Sequence, residues 1–337
     1  MLTKKRIVAA LLLVFLMAYA VIALIPRKDN FEGVNPMLKD GELPILIAHG
    51  GGNKEFPDNT LEAFYNAYSV DERVMMETDV SITKDGVVIL SHDTTIDRKT
   101  NATGKIIDWN YSDLISEKVD FGYTNPTKSG ELNGERVKFK DPDGREVTPL
   151  DVEYPEGVLP RDNEVFLATT LEELIVAFPN NRINVEIKQS GEIGLRAFEA
   201  CLALAEKYDA YDRIVFASFH SELYDEFMKR IEEGSVPESF MCSPSVSGMI
   251  KYYGTFILGL DIFYRDGIAV CQIPDEEYGV SLISKSFVDN AHKRNIAVHY
   301  WTINDEETMH RLIGIGADGI MTDYPHKLAR VLSEYNK

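Results

Sequence analysis

Short apolar runs typical of buried β-strands alternate with helix-like segments along most of this 337-residue chain. After residue 164, strand-like runs at 182–188, 213–218 and 239–242 are separated by the helical patterns 191–207 and 221–232. Such an alternation is the signature of a parallel sheet with helices packed on it, so we expect an α/β fold. Eight strands are predicted, and they end at His49, Asp79, Lys188, Ser218, Cys242, Ile273, Thr302 and Thr322.

Polar side chains cluster where the first two strands end. Glu77 and Asp79 lie two residues apart in the strand 75–82, so the period of two directs both carboxylates to one face. Lys84-Asp85-Gly86 predicts a turn, and the returning strand 87–90 would bring His92 beside the two acids. His49 follows the first strand and is itself followed by three glycines. We therefore expect two histidines and two carboxylates at one mouth.

Several ordered motifs resemble the glycerophosphodiester phosphodiesterases. The matching segments cover about 44–332 apart from an insert, and they are Ile47-Ala-His49-Gly, Pro57-Asp-Asn-Thr-Leu-Glu-Ala-Phe64, Glu77-Thr-Asp79-Val, His92-Asp93, Asp97-Arg98-Lys-Thr-Asn101-Ala-Thr-Gly104, Val185-Glu186-Ile-Lys188, Ala217-Ser-Phe219, Trp301-Thr-Ile-Asn304 and Gly319-Ile-Met-Thr-Asp323-Tyr-Pro325. The resemblance implies a TIM (β/α)8 barrel, for which eight strands is the required number.

The same resemblance implies roles for individual residues. His49 and His92 would be the catalytic pair, and Glu77, Asp79 and Glu186 would be the metal ligands. One departure concerns the residue after the first histidine, where the family usually has a phosphate-contacting arginine and this chain has Gly50. Asp58 also stands where the family usually has glutamate.

Convergence of three carboxylates would need a compensating charge. At about 5 Å and an effective dielectric constant near 20, each pair would repel by roughly 3 kcal/mol, and the sum would rival the stability of a typical domain. A divalent cation bound by oxygen ligands, Ca²⁺ or Mg²⁺, answers this requirement. In the alternative interpretation, Lys188 and Arg182 neutralise the acids without a metal.

The resemblance implies metal-dependent hydrolysis of glycerophosphodiesters to an alcohol and glycerol 3-phosphate. An imidazole can donate or accept a proton near neutral pH, so one histidine would deprotonate the attacking hydroxyl and the other would protonate the leaving alcohol. Lys188 and the backbone N–H groups of Gly50 to Gly52 are candidates to bind phosphate, and Trp301 is a candidate wall of the substrate site. The alternatives are a lysophospholipase D acting on lysophospholipids and a non-catalytic membrane-anchored barrel.

The amino-terminal segment predicts a membrane anchor. Residues 7–25 carry no charge and follow Lys4-Lys5-Arg6. As a helix they would span roughly 28 Å, close to the hydrocarbon thickness of about 30 Å. The basic end predicts a catalytic domain outside the cytoplasm. Ala18-Tyr-Ala20 resembles a signal-peptidase site, so a cleaved signal that leaves an exported, soluble protein is the alternative.

Composition and the placement of polar, Gly- and Pro-containing segments give the remaining predictions, which concern partners, cysteines and domain boundaries. With 35 basic against 54 acidic residues, the net charge of −19 argues against a nucleic-acid partner. Cys201, Cys242 and Cys271 are predicted to be buried free thiols. We expect an anchor or signal at 1–28, a linker or a collar beneath the barrel at 29–43, and a barrel at 44–337. An insert at about 121–164 is too long for a plain loop, so it is expected to be a lid or specificity subdomain over the mouth, or otherwise a mobile surface excursion.

Overall fold

Eight parallel strands form a nearly closed barrel in the computed structural model, which describes residues 4–116, 118–124, 136–158, 161 and 163–335. The strands are β1 (Ile45–His49), β2 (Met75–Ile82), β3 (Ile183–Ile187), β4 (Ile214–Ala217), β5 (Met241–Cys242), β6 (Val270–Ile273), β7 (Ala297–Tyr300) and β8 (Gly319–Thr322). They are ordered β5-β4-β3-β2-β1-β8-β7-β6. Between the two ends of this order, Ala269 N–H donates to the Cys242 carbonyl at 3.0 Å. The predicted TIM-like barrel is thus confirmed.

The register of β1 and β2 follows the predicted alternation of side chains. His49 pairs with Glu77, and Asp79 pairs with Glu186 on β3. Met75, on the same face of β2 as Glu77, packs in the barrel interior, whereas Met76 packs in the outer layer beneath the helices. The strand Val88–Leu90 returns antiparallel to β2, which confirms the predicted hairpin.

Helices cover the outside of the barrel. They are α1 (Lys4–Leu24), α2 (Leu61–Val70), α3 (Tyr111–Leu114), α4 (Leu171–Ala177), α5 (Gly191–Lys207), α6 (Ser221–Glu233), α7 (Val246–Ile257), α8 (Lys285–His292), α9 (Glu306–Ile315) and α10 (Pro325–Ser333). Short 3-10 turns occur at Ile106–Asp108, Pro149–Asp151 and Asp261–Phe263, and a small hairpin pairs Glu276–Glu277 with Val280–Ser281. Thr60 caps α2 by accepting a hydrogen bond from Ala63 N–H.

Helix α7 was not predicted. Its amino terminus is capped by Ser245, which accepts a hydrogen bond from Gly248 N–H. Val246, Ile250 and Ile257 are exposed on this helix. Apolar residues on the solvent side obscure the 3.6-residue period by which an amphipathic helix is recognised.

The amino-terminal helix α1 lies against the end of α7. Tyr19 donates a hydrogen bond to the Leu258 carbonyl at 3.1 Å, and Arg27, just after the helix, pairs with Asp261 at 2.9 Å. In the described part of the chain, no helix is both long and apolar enough to cross a membrane. The predicted transmembrane helix is therefore not supported.

The segment 29–43, predicted to be a linker or a collar beneath the barrel, packs on the base of the barrel. Phe31 and Met37 are buried with the interior residues of the strands. Asn35 donates hydrogen bonds to the carbonyls of Ala269 (2.7 Å) and Asn295 (2.8 Å) and accepts one from Met37 N–H (2.9 Å). These contacts fit the collar alternative.

The described part of the insert 121–164 packs on the side of the barrel. Tyr123–Thr124 pairs with Val137–Lys138, and the ring of Tyr154 lies 4.9 Å from that of Tyr65 on α2. None of the described insert residues lines the cavity at the mouth of the barrel. The expected lid is therefore not found in that part of the insert, and the rest lies outside the described residues.

We expect Asn35→Ala to destabilise the protein by roughly 2–4 kcal/mol, because it leaves the Asn295 carbonyl and the Met37 N–H without their partner and removes one of two hydrogen bonds to the Ala269 carbonyl. The measurement is urea unfolding monitored by circular dichroism. Val34→Ala is the matched control, since Val34 is 90% exposed and its truncation should change the free energy of unfolding by less than about 0.5 kcal/mol. Equal stability of the two variants would contradict an anchoring role for Asn35.

Candidate active site

A cavity of about 210 Å³ opens at the carboxyl ends of the barrel strands. Active sites of this fold lie at the same end, because the loops that follow the strands meet there. Six of the residues singled out from the sequence line the cavity, namely His49, His92, Glu77, Glu186, Lys188 and Trp301. The fold therefore brings together groups that are separated by up to 250 positions in the chain.

The three predicted metal ligands converge. Carboxylate oxygens of Glu77, Asp79 and Glu186 lie within 4.8 Å of one another. Glu77 and Asp79 are 2% exposed, and both are held by hydrogen bonds. Gly50 N–H donates to Glu77 Oε2 at 2.8 Å, and Asn59 Nδ2 donates to Asp79 Oδ2 at 3.0 Å. This donor set is all oxygen, buried and preorganised, as a site for a hard divalent cation requires.

Lys188 is the cation that contacts this acid cluster directly. Its Nζ lies 2.9 Å from Asp79 Oδ1 and 2.7 Å from Glu186 Oε1. Arg182, which the metal-free interpretation also invoked, pairs with Asp40 at 2.6 Å instead. One ammonium therefore faces three carboxylates, and the arginine half of that alternative is wrong.

Protonation of the cluster reflects this imbalance. Burial, together with the charge of Asp79, raises the pKa of Glu77 to about 8, although His49 counteracts the rise. Burial and Asp79 also raise the pKa of Glu186. At neutral pH the cluster therefore tends to hold a proton, unless further positive charge balances the three carboxylates.

His49 is oriented by the last strand of the barrel. Its Nδ1 lies 2.6 Å from Oδ1 of Asp323, the residue that follows β8, and Asn304 Nδ2 donates to the other oxygen of Asp323 at 2.8 Å. Burial lowers the pKa of His49, but Asp323 and Glu77 outweigh burial and raise it to about 9. Sequence reasoning assigned no role to Asp323. The available signal was its position directly after the strand that neighbours β1.

His92 is oriented in a similar way by its own neighbour. Its Nδ1 lies 3.0 Å from Asp93 Oδ1, while Arg98 Nε donates to Asp93 Oδ2 at 2.6 Å. The hydrogen bond to Asp93 raises the pKa of His92 despite partial burial. Because both imidazoles are held at Nδ1, each has Nε2 available for proton transfer.

Gly50 does not supply the expected backbone site for phosphate. Its N–H is taken by Glu77, as described above, and the N–H groups of Gly51 and Gly52 donate to the carbonyls of Ala48 (3.2 Å) and His49 (2.8 Å). All three glycines have positive φ, so they build a tight turn that carries β1 past the site. These three N–H groups are therefore already engaged within the protein.

Asp58 lies where a side chain at residue 50 would point. A Cβ atom placed on Gly50 would come within 3.1 Å of Asp58 Cβ. The Asp58 carboxylate is instead bound by Arg98 (3.2 Å) and Lys99 (2.7 Å). These two cations keep the pKa of the buried Asp58 carboxyl well below its usual range.

Trp301 and Phe219 form an aromatic wall on one side of the cavity. Their rings meet edge to face, with centroids 5.9 Å apart, and Phe219 is 52% exposed at the rim. Outside the site, Cys201, Cys242 and Cys271 are buried free thiols, as predicted, and burial raises their pKa values.

In EDTA, we expect the free energy of unfolding to fall by on the order of 3 kcal/mol between pH 6 and pH 9. The reason is that Glu77 and His49 hold protons in the folded state up to about pH 8 and pH 9, whereas the unfolded chain loses them near 4.5 and 6.5. Folding thus takes up protons in this range. Urea unfolding at pH 6, 7.5 and 9 measures the slope.

Glu77→Gln should flatten this pH dependence, because it removes one titrating group and the charge that raises the pKa of His49. Glu276→Gln, on an exposed hairpin strand, is the matched control and should keep the wild-type slope. Stability that is constant or rises with pH in the metal-free wild type would refute this account of the cluster.

Relatives of known family match most of the chain. The lysophospholipase D GDPD1 of Homo sapiens is 27% identical over 86% of each chain, and a glycerophosphodiester phosphodiesterase of Caldanaerobacter subterraneus is 25% identical over 86% of this chain and 97% of its own. Among solved structures, an Oleispira antarctica phosphodiesterase in complex with the product sn-glycerol-3-phosphate aligns with a TM-score of 0.60 and 20% identity, covering 86% of this chain and 97% of that one. A putative glycerophosphoryl diester phosphodiesterase from Silicibacter pomeroyi gives a TM-score of 0.62 at 20% identity, over 89% and 96%.

The family assignment covers the barrel from the end of β1 onward. Residues 49–327 match the Glycerophosphoryl diester phosphodiesterase family, so the match runs from the first catalytic candidate, His49, into helix α10. The resemblance noted from the sequence is confirmed, and the relatives are named as hydrolases, which argues against a non-catalytic barrel. This chain therefore belongs to the glycerophosphoryl diester phosphodiesterase family.

Proposed function

We propose that this protein hydrolyses glycerophosphodiesters to an alcohol and glycerol 3-phosphate, using two histidines and a divalent cation. The observation that carries the proposal is the arrangement of one cavity. His49 and His92, each held at Nδ1 by a carboxylate, line the same cavity as Glu77 and Glu186 of the acid cluster. A candidate acid, a candidate base and a site that suits a cation would thus share one cavity.

The residues fit a hard divalent cation, Ca²⁺ or Mg²⁺. Glu77, Asp79 and Glu186 offer carboxylate oxygens within 4.8 Å, and Lys188 offsets only part of their charge. Bound there, the cation would act as a Lewis acid on the phosphodiester oxygens. The raised pKa of Glu77 is consistent with a site whose fully ionised form depends on added positive charge.

The two histidines differ in their environments, which suggests a division of labour. His49 is the more buried, and its pKa of about 9 leaves it charged at neutral pH, so it suits the role of general acid. His92, with about half of its side chain exposed, suits the role of general base. We propose that His92 takes the proton of the attacking hydroxyl and that His49 protonates the leaving alcohol.

The reaction balances as two displacements at phosphorus. The 2-hydroxyl of the glycerol attacks, the bond to the leaving alcohol breaks, and the alcohol departs with the proton from His49. Water then opens the cyclic phosphate, with His49 now accepting a proton and His92 returning one to the departing 2-oxygen. The products are the alcohol and glycerol 3-phosphate, and both histidines regain their starting states.

Lys188 and Trp301 would position the substrate. Lys188 lines the cavity, and its ammonium lies beside Glu186. Because an ammonium has three N–H donors, it could donate to a phosphate oxygen while it remains bonded to Glu186. In a chain with Gly50 after the first histidine, Lys188 is a positive charge in the cavity that could contact that oxygen. Trp301 would pack against the carbon skeleton of the substrate.

Lysophospholipase D activity is a second candidate. The exposed Phe219 beside Trp301 gives the rim an apolar side on which an acyl chain could lie. One relative, the human lysophospholipase D GDPD1, carries that activity in its name. Assays with both substrate types separate the two candidates.

We expect the full-length protein to release choline from glycerophosphocholine in the presence of Mg²⁺ or Ca²⁺, to lose this activity in EDTA, and to regain it when excess cation is added. Lysophosphatidylcholine tested in parallel measures the second candidate. Undiminished turnover in EDTA would contradict the cation requirement, and no turnover of either substrate with cation would favour a non-catalytic barrel.

A matched pair of variants sharpens this cation test. Glu186→Gln removes one carboxylate of the cluster and should raise the cation concentration needed for half-maximal activity by about tenfold or more. Glu192→Gln makes the same change on the exposed start of α5 and should leave that concentration unchanged.

Replacing either imidazole should slow the chemical step. We expect His49→Ala and His92→Ala each to lower kcat by about 10²–10⁴-fold, the usual contribution of a positioned acid or base. His326→Ala is the control, because His326 is exposed and pairs with Glu55 away from the cavity. Losses below about tenfold in correctly folded variants, checked by circular dichroism, would rule out the assigned roles.

A further inference from the structure

Arg98 bridges two carboxylates beside the catalytic cavity. Its Nε donates to Asp93 Oδ2 at 2.6 Å, and its Nη1 and Nη2 donate to the two oxygens of Asp58, each at 3.2 Å. The other oxygen of Asp93 lies 3.0 Å from Nδ1 of His92. One guanidinium therefore joins a carboxylate on the loop between β1 and α2 to the carboxylate that contacts the proposed general base.

The shape of the guanidinium suits this bridge. It is planar and carries its N–H donors in a fixed fork, so one edge can hold Asp58 while Nε holds Asp93. The two bonds to Asp58 fix the orientation of the guanidinium plane, because both of its terminal nitrogens are engaged. The bond from Nε then determines where the Asp93 carboxylate lies.

The Asp58 end of the bridge is itself held by other side chains. Lys99, which is 3% exposed, donates to Asp58 Oδ1 at 2.7 Å. Asn59 Nδ2 lies 3.3 Å from Asp58 Oδ2 and 3.0 Å from Oδ2 of Asp79, and it donates to both. A carboxylate bound by several donors has little freedom to rotate, so Asp58 gives Arg98 a fixed point of attachment.

The carboxylates beside the two histidines differ in their second partner. At His49, the other oxygen of Asp323 accepts a hydrogen bond from a neutral side-chain amide. At His92, the other oxygen of Asp93 accepts from the cationic Arg98. The charge of Asp93 is thus offset by a guanidinium, whereas that of Asp323 is left to stabilise a charged imidazole. This contrast agrees with the proposed roles of His92 as base and His49 as acid.

We propose that Arg98 is a positioning residue for the general base: it holds Asp93 against Nδ1 of His92, and so presents Nε2 to the attacking hydroxyl. The inference rests on the proposed function, in which His92 takes that proton. The side chains of Asp93 and His92 are 28% and 51% exposed, so packing alone leaves both of them room to rotate. Arg98 removes this freedom by tying Asp93 to the buried Asp58.

A double-mutant cycle with the cation-loaded full-length protein and glycerophosphocholine tests this role. Arg98→Ala should lower kcat by about 10–100-fold and change KM by less than about threefold, because it misplaces the base without removing a substrate contact. On a His92→Ala background, the same change should lower kcat by less than about threefold, because the base that Arg98 positions is already absent. A purely structural role would lower kcat equally in both backgrounds.

Arg230→Ala is the matched control. Arg230 also bridges two carboxylates, those of Glu226 and Glu199, but it does so between the outer helices α6 and α5, and its loss should leave kcat unchanged. Arg98→Ala itself should fold, because Asp58 keeps its bond from Lys99. Circular dichroism checks the fold of each variant.

Chemical rescue gives a second measurement. An open pocket of about 580 Å³ is lined in part by His92, Asp93 and Arg98, so a guanidinium ion from solution can reach the space left in Arg98→Ala. Guanidinium chloride at a non-denaturing concentration should restore part of the lost kcat, compared with sodium chloride at the same ionic strength. Urea has the same shape without the charge and should restore none of it.

Several outcomes would overturn the inference while the proposed function stands. They are an unchanged kcat in folded Arg98→Ala, an equal loss of kcat on the wild-type and His92→Ala backgrounds, and a recovery that is absent with guanidinium or equally large with urea. If the wild type hydrolyses neither glycerophosphocholine nor lysophosphatidylcholine, the proposed function is overturned and the inference with it.

Discussion

The repulsion among three buried carboxylates is the constraint on which the site depends. Glu77, Asp79 and Glu186 lie within 4.8 Å of one another, and the partly buried Lys188 contacts only Asp79 and Glu186 among them. A flexible scaffold would relieve this repulsion by letting the acids separate. Here neighbouring strands fix their backbone positions in register, so the cluster stays together and the charge must be balanced by protons or by a cation.

Closure of the barrel completes this arrangement. His49 leaves the first strand and Asp323 follows the last, and these strands are adjacent because the sheet curls back on itself. The His49–Asp323 pair, which raises the pKa of His49, therefore forms only when β1 and β8 pair. His92 depends instead on local structure, since Asp93 is its neighbour in the chain. The orientation of His49 thus depends on the topology of the whole barrel, whereas the contact between His92 and Asp93 forms locally, beside a hairpin.

Features governed by short-range periodicity could be predicted from the sequence. The period of two placed Glu77 and Asp79 on one face, and the turn at residues 84–86 returned His92 to them. The eight strands followed from apolar runs alternating with helices. Family resemblance then assigned the histidines and acids that the structure brings into a single cavity.

Features set by contacts between distant residues could not be predicted. Nothing near Arg182 in the sequence indicates that it pairs with Asp40, and nothing near Gly50 indicates that Glu77 takes its N–H group. Helix α7 was missed because its exposed apolar residues erase the amphipathic pattern.

The segment that precedes β1 belongs to the barrel domain. The family match starts at His49, yet Asn35 and Met37 already complete the underside of the barrel, and Met37 supplies the carbonyl that fixes His299. A domain boundary placed at the start of the family match would remove this segment. The strands described above contain no residues that could take its place at the base of the barrel. Truncated forms of this enzyme should therefore retain residues from about 29 onward, so that the base of the barrel stays packed.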